Sequence, residues 1–146
     1  MPEQISLEAL SIMSDPERIR DARGWLAEIA RKAGFEEEEV RELALALSEA
    51  CANVHRHAYA GRTEGRIDIQ VEVEKEKLQV AVRDYGVPFD SKDYSPPNLE
   101  EPTEGGYGLY LITHLMDAVR YVDMGVGTRV VMVKNRRLAT VEGTLP

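Results

Sequence analysis

The chain has 146 residues, 43% of them hydrophobic and 30% charged, with a formal net charge of -8. That length and mix fit one domain with one core, and with no Lys/Arg cluster beyond Arg136-Arg137 they argue against direct nucleic-acid binding. The single cysteine, Cys51, excludes an internal disulfide, and no apolar run approaches the ~18 residues of a membrane span.

In chain order, Ile5 to Leu10 is a short apolar-rich piece with the look of an edge strand. Asp15-Pro16 reads as the cap and first residue of a helix. Ile19, Ala22, Leu26, Ile29, Ala30 and Ala33 give that helix one apolar stripe, and Gly34 ends it. A second helix starts near Glu36, where the run Glu36 to Glu39 suits the positive end of the helix dipole. Its stripe is Leu43, Ala46, Leu47, Ala50 and Val54, and the pattern carries it to about Ala60, with Gly61 as terminator.

A hairpin follows. Ile67, Ile69, Val71 and Val73 alternate with polar residues, and Leu78, Val80 and Val82 alternate with Gln79, Ala81 and Arg83, around a turn at Glu74 to Lys77. Period two on both arms predicts antiparallel strands with one buried face. Residues 87–106 show no period and hold four of the seven prolines, the profile of a lid or binding loop. A third helix is expected over about Tyr107 to Asp117. Two strands complete the domain, about Val119 to Met124 and Thr128 to Lys134, joined by Gly125-Val126-Gly127. The segment from Arg136 reads as a loosely held tail. The whole chain, 1–146, reads as one domain with its core at about 5–134. The start MPEQISLEAL lacks the basic residues and apolar run of a signal peptide, and with unpaired Cys51 this gives a cytoplasmic expectation.

Four groups of residues carry possible chemistry. Glu49, Asn53 and His57 are spaced at four-residue steps and line one strip of the second helix, bordering its apolar stripe. The Asn53 carbonyl oxygen suits a hard cation such as Mg²⁺, although a solvated helix flank explains the strip as well. Asp84 continues the parity of Leu78, Val80 and Val82 to the buried face, where a carboxylate needs a strong donor. An adenine amino group would serve, and so would a turn capped at Gly86. Gly105-Gly106-Tyr107-Gly108-Leu109 opens a helix, a place where backbone N–H groups and the dipole favour an anion; a hinge for the preceding loop is compatible. Thr128, after Gly127, shares the parity of Val130 and Met132, which turns its hydroxyl inward beside Asp84.

Taken in order, these motifs resemble the ATP-binding superfamily of gyrase, heat-shock chaperones, histidine kinases and mismatch-repair ATPases. Within it the sequence is most similar to the anti-sigma-factor serine kinases. The carrying residues are Ser48-Glu49-Ala50-Cys51-Ala52-Asn53 with His57-Ala58-Tyr59, Arg83-Asp84-Tyr85-Gly86 with Pro88-Phe89-Asp90, Gly105-Gly106-Tyr107-Gly108-Leu109 with Leu115-Met116-Asp117, and Gly127-Thr128. Many members of the superfamily have a glycine where this chain has Pro88, a departure that moves the match away from histidine kinases.

The resemblance implies an α/β (α+β) two-layer sandwich of the Bergerat type: helices on one face of a mixed, mostly antiparallel sheet. It implies ATP and Mg²⁺ as cofactors, Glu49 as general base, Asn53 as Mg²⁺ ligand and Asp84 as adenine reader. Gly86 would admit the adenine, Gly105, Gly106, Gly108 and Leu109 would form the phosphate cradle under the lid, and Thr128 would support the adenine contact. The implied partners are an anti-sigma-factor antagonist carrying the substrate serine, a sigma factor, and a second copy of the chain in a homodimer. A non-catalytic ATP-gated switch would use the same pocket. His55 and His57 fall inside the second helix, so neither reads as an exposed phosphoacceptor. Arg83 and Arg56 are both candidates for a γ-phosphate contact.

Overall fold

A computed structural model describes residues 6–87 and 107–137. Residues 88–106 of the lid expected over 87–106, Gly105 and Gly106 among them, and the tail beyond 137 lie outside the described residues, and so do the side chains of 107–110. The elements are β1 (Ser6–Met13), α1 (Pro16–Lys32), α2 (Glu37–Asn53), β2 (Arg66–Val73), β3 (Lys77–Asp84), α3 (Tyr107–Leu115), β4 (Ala118–Asp123) and β5 (Thr128–Asn135). The five strands form one sheet in the order β1-β2-β3-β5-β4, and every pairing among them is antiparallel. β1 is an edge strand, as its sequence suggests, and ends three residues later than expected.

Local chemistry sets the helix starts. The Asp15 carboxylate accepts the Glu17 N–H at 3.0 Å, satisfying one orphan donor of α1, and Pro16 supplies a pre-set φ at the first position. Ile19, Ala22, Leu26 and Ala30 are the buried stripe. At α2, the Glu39 carboxylate reaches back to the Glu36 N–H at 2.9 Å. Glu39 has no exposed surface, so the glutamate run does more than complement a dipole.

The period-two pattern places Ile67, Ile69 and Val71 of β2, Leu78, Val80 and Val82 of β3, and Val130 and Met132 of β5 on one face. All of them are buried, in one core with Leu26, Leu43 and Leu47 of the helices. Each fully buried Leu or Ile contributes about 1.5–3 kcal/mol by leaving water. The opposite face carries no described helix and presents Gln70, Arg83 and Arg129.

Two expectations change. The second helix is α-helical only to Asn53 and continues as a π-helical turn, Val54–Ala58. Its mark is the Tyr59 N–H bonded to the Val54 carbonyl, five residues back, at 3.1 Å. Ala60 (φ 51) and Gly61 (φ 81) then reverse the chain. Arg136 and Arg137, expected to begin a loose tail, are firmly bonded. Arg136 donates to the Ala33 and Lys75 carbonyls and lies over the Phe35 ring, while Arg137 pairs with Glu38 and Glu42. Among the described residues no helix is long and apolar enough to cross a membrane.

Candidate nucleotide site

At one end of the core, between the α2–π turn and the sheet, lies a small hollow of about 40 Å³. α2 and its π turn contribute Ala50, Asn53, Val54, His57 and Ala58. The strands contribute Val82, Asp84, Tyr121, Thr128 and Val130, and Val87 stands at the edge. The walls are thus mostly apolar, with a small number of polar groups converging on them, the composition expected for a planar base with one polar edge.

Asp84 ends β3 on the inward parity and is 4% exposed. Its carboxylate accepts the Gly86 N–H at 3.0 Å and a backbone N–H from Thr128. Burial nevertheless holds its carboxyl above the usual carboxylate range, against the pull of those two N–H groups and the Arg83 charge. Both glycines beside it are forced by packing. A Cβ on Gly86 would come within 2.2 Å of the Ala58 carbonyl oxygen, and one on Gly127 (φ +75) within 2.0 Å of the Asp84 carbonyl oxygen. The closeness at Gly86 is therefore already used by the π turn, whose Ala58 carbonyl also accepts the Val87 N–H at 3.0 Å. Thr128 is buried and lines the hollow beside Asp84, as its parity predicts.

The π turn alters the helix strip. Glu49 and Asn53 remain one α-turn apart, but Glu49 is half-buried and does not line the hollow. His57 does line it and is exposed, against the expectation for a residue inside a helix, because the wider turn re-aims residues after Asn53. His55 is fixed elsewhere, its Nδ1 2.9 Å from the Ser14 carbonyl oxygen and 3.0 Å from Ser14 Oγ. The Asn53 Oδ1 accepts a hydrogen bond from Arg56 Nη2 at 2.8 Å, so a guanidinium holds the oxygen expected to meet Mg²⁺. Arg83 belongs to the other face: it pairs in register with Arg129, lies over the Tyr85 ring at 4.5 Å and donates to the Val126 carbonyl at 3.3 Å. Of the two arginines considered for a γ-phosphate, only Arg56 is on the helix that lines the hollow.

Among the described residues no group of three or more His, Cys, Asp or Glu could hold a metal by itself. Mg²⁺ typically keeps several waters and takes only one or two protein oxygens. Asn53, which lines the hollow, carries an amide oxygen of the kind such an ion takes. Gly108 and Leu109 lie in the first turn of α3.

Some contributors were not singled out in the sequence. Tyr59 accepts the Tyr85 N–H at 2.8 Å and donates to the Arg66 carbonyl at 2.6 Å, fixing the chain just beyond Asp84. Tyr121 enters through the Tyr121↔Val130 pairing of β4 with β5. Its parity with Val119 was readable, but the strand order that sets it beside the hollow was not. Cys51 is buried, and burial pushes its thiol up to about 12.

Residues 12–134 match the family model described as the histidine kinase-like ATPase domain. The chain is 36% identical over 130 residues to the serine-protein kinase RsbW of Bacillus licheniformis, spanning 83% of this chain and 81% of that one. It is 38% identical over 134 residues to RsbW of Listeria innocua, covering 86% and 84%, and 35% identical over 144 residues to RsbW of Bacillus pumilus, covering 92% and 88%. Among solved structures, the RsbU and RsbW domains of a Mycobacterium tuberculosis protein superpose with a TM-score of 0.67 at 18% identity, over 92% of this chain and 34% of that one. The catalytic domain of the histidine kinase ThkA gives a TM-score of 0.53 at 20% identity, over 88% and 98%. At such identities the two superpositions speak for the fold.

Proposed function

As this chain belongs to the histidine kinase-like ATPase domain family, and is a serine-protein kinase by its likeness to RsbW over most of its length, we propose that it transfers the γ-phosphoryl group of Mg-ATP to a serine of an anti-sigma-factor antagonist. In the same reading it binds a sigma factor as a homodimer. The observation that carries the nucleotide part is the convergence of Asp84, Thr128 and Asn53, from two strands and a helix, on one hollow.

Each residue then has a defined task. The Asp84 carboxylate, its backbone bonds leaving acceptor capacity, takes the exocyclic amino group of adenine. Val82, Val130 and Ala50 supply the apolar walls for the base. Asn53, whose Oδ1 is bonded to Arg56, would hold Mg²⁺ through that oxygen, and the ion would offset charge on the phosphates. The backbone N–H groups of the glycine-rich start of α3 hold the phosphates in line. Glu49 accepts the proton of the attacking serine hydroxyl. Phosphoryl transfer needs mainly positioning and electrostatic support, so a small domain suffices.

A second reading, an ATP-gated switch without catalysis, has one observation behind it: Glu49 does not line the hollow. Incubation with γ-labelled ATP and the antagonist protein separates the two. The kinase reading expects acid-stable label on a serine. Nucleotide binding without transfer would establish the switch, and acid-labile label would point to histidine chemistry.

A further inference from the structure

Lys134 interrupts the inward-facing row Thr128, Val130, Met132 of β5 with an ammonium, and its side chain is only 7% exposed. Its Nζ lies 2.7 Å from Glu42 Oε1 on α2 and donates to the carbonyl of Leu115, the last residue of α3, at 2.5 Å. β5 adds two more bonds just beyond the end of α3: the Asp117 N–H reaches the Val133 carbonyl at 2.8 Å, and the Asp117 carboxylate accepts the Asn135 N–H at 2.7 Å. α3 is thus anchored at its C-terminal end to β5, and Lys134 alone among these contacts also reaches α2.

Burying an ammonium is costly, and a buried ion pair often stabilises no better than apolar residues of the same volume. Val130 and Met132 show that this row accepts apolar residues. An ion pair here therefore favours one arrangement of α3 against α2 over others. Glu42 stands two turns before Glu49 on the same helix face, and α3 is nine residues long, with Tyr107 and Gly108 at the end away from Leu115.

We propose that Lys134 is a positioning residue that sets the placement of α3 against α2 and so tunes how the first turn of α3 meets the nucleotide's phosphates. It does this from about 20 Å along β5 from Thr128, six residues away. The inference rests on the ATP reading above, with the phosphates at the start of α3. The Asp84 end of the pocket shares none of Lys134's contacts, so the base should be read as before.

The test is calorimetry on the full chain, well below its melting temperature, with adenosine and with Mg-ATP. Lys134→Met keeps the bulk and removes both bonds. The expected result is a roughly tenfold weaker affinity for Mg-ATP, a size typical of residues that act through packed elements, with adenosine within about twofold of wild type. Glu42→Gln keeps an oxygen for Lys134 and leaves the Leu115 cap. It should shift the ratio of the two affinities the same way by less, and it carries the test if Lys134→Met does not fold. An unchanged ratio, with only a lower melting temperature or an equal loss for both ligands, would overturn the proposal. Wild-type protein that binds neither ligand is a distinct result: it would remove the ATP reading, and this inference with it.

Discussion

Replacing Asp84 by Asn changes a single atom type at the centre of the pocket, and the structure sets the size of the effect. Asp84 is 4% exposed and already receives the N–H groups of Gly86 and Thr128. An ionised carboxylate has about four acceptor directions, enough for these and an adenine amino group. An amide has one oxygen and one NH₂ group. If the oxygen keeps the backbone donors, the NH₂ group confronts the adenine amino group, donor against donor. The lost charge-assisted bond is worth about 1.5–3 kcal/mol, and the unsatisfied buried donor adds about 1–3. A total of about 2.5–6 kcal/mol corresponds to Mg-ATP affinity weaker by roughly 10²- to 10⁴-fold. Inosine triphosphate, with a carbonyl where ATP has the amino group, should suffer far less, so calorimetry should find the ATP preference of the wild type narrowed by about tenfold or more. Because burial holds the Asp84 carboxyl above its ordinary range, binding should weaken as pH falls through that raised value, and Asp84→Asn should lack this step. The folded state also binds that proton more tightly than the unfolded one. Ionising Asp84 therefore costs stability as pH rises from the ordinary value, about 3.9, through the raised one. Unchanged ATP affinity in a natively folded Asp84→Asn protein would refute the adenine assignment.

Glu49→Gln should retain Mg-ATP affinity, since Glu49 does not line the hollow, while phosphoryl transfer to the antagonist falls by roughly 10²–10⁴-fold, the usual worth of a general base; nucleotide binding lost with the transfer would contradict that role. Gly127→Ala should lower stability by about 2–4 kcal/mol, because it adds a close contact to a left-handed backbone. Gly125, with a similar φ of +82 and nothing within 4 Å of its missing Cβ, is the control. Its Ala variant should cost only about 1 kcal/mol, and equal thermal melts for the two would show that contact with the Asp84 backbone is not what requires Gly127.

What could be read in the sequence follows from which signals are local. Parity along β2, β3 and β5 placed Asp84 and Thr128 inward without any knowledge of partners, because strand alternation is a backbone property. Asp15-Pro16 marked the start of α1 for the same kind of reason. The π turn left no mark, since its definition is a hydrogen bond displaced by one residue, and the side-chain pattern of α2 continues smoothly through Val54. The order β1-β2-β3-β5-β4 arises from pairings between distant segments, so the meeting of Tyr121 with the hollow stayed hidden. Lys134 was visible as a charged residue on inward parity. Its partners Glu42 and Leu115 lie 92 and 19 residues away, and only the fold brings them to it. The Glu36–Glu39 run misled by having a sufficient local explanation: the dipole accounts for its sign but not for Glu39 bonding both Glu36 and Arg137.

The outer face of the sheet holds its own concave surfaces, one lined by Leu7, Gln70 and Gln79 and another by Arg83, Tyr85 and Arg129. A nucleotide has to choose between these and the inner hollow. Titration of isotope-labelled protein with a non-hydrolysable Mg-ATP analogue, followed by backbone amide shifts, reads that choice directly. Saturating changes clustered on Asn53, His57, Asp84, Gly86 and Thr128, with Gln70, Ala81 and Arg129 still, are the expected result. Shifts centred on the outer-face residues, or none at all, would contradict it.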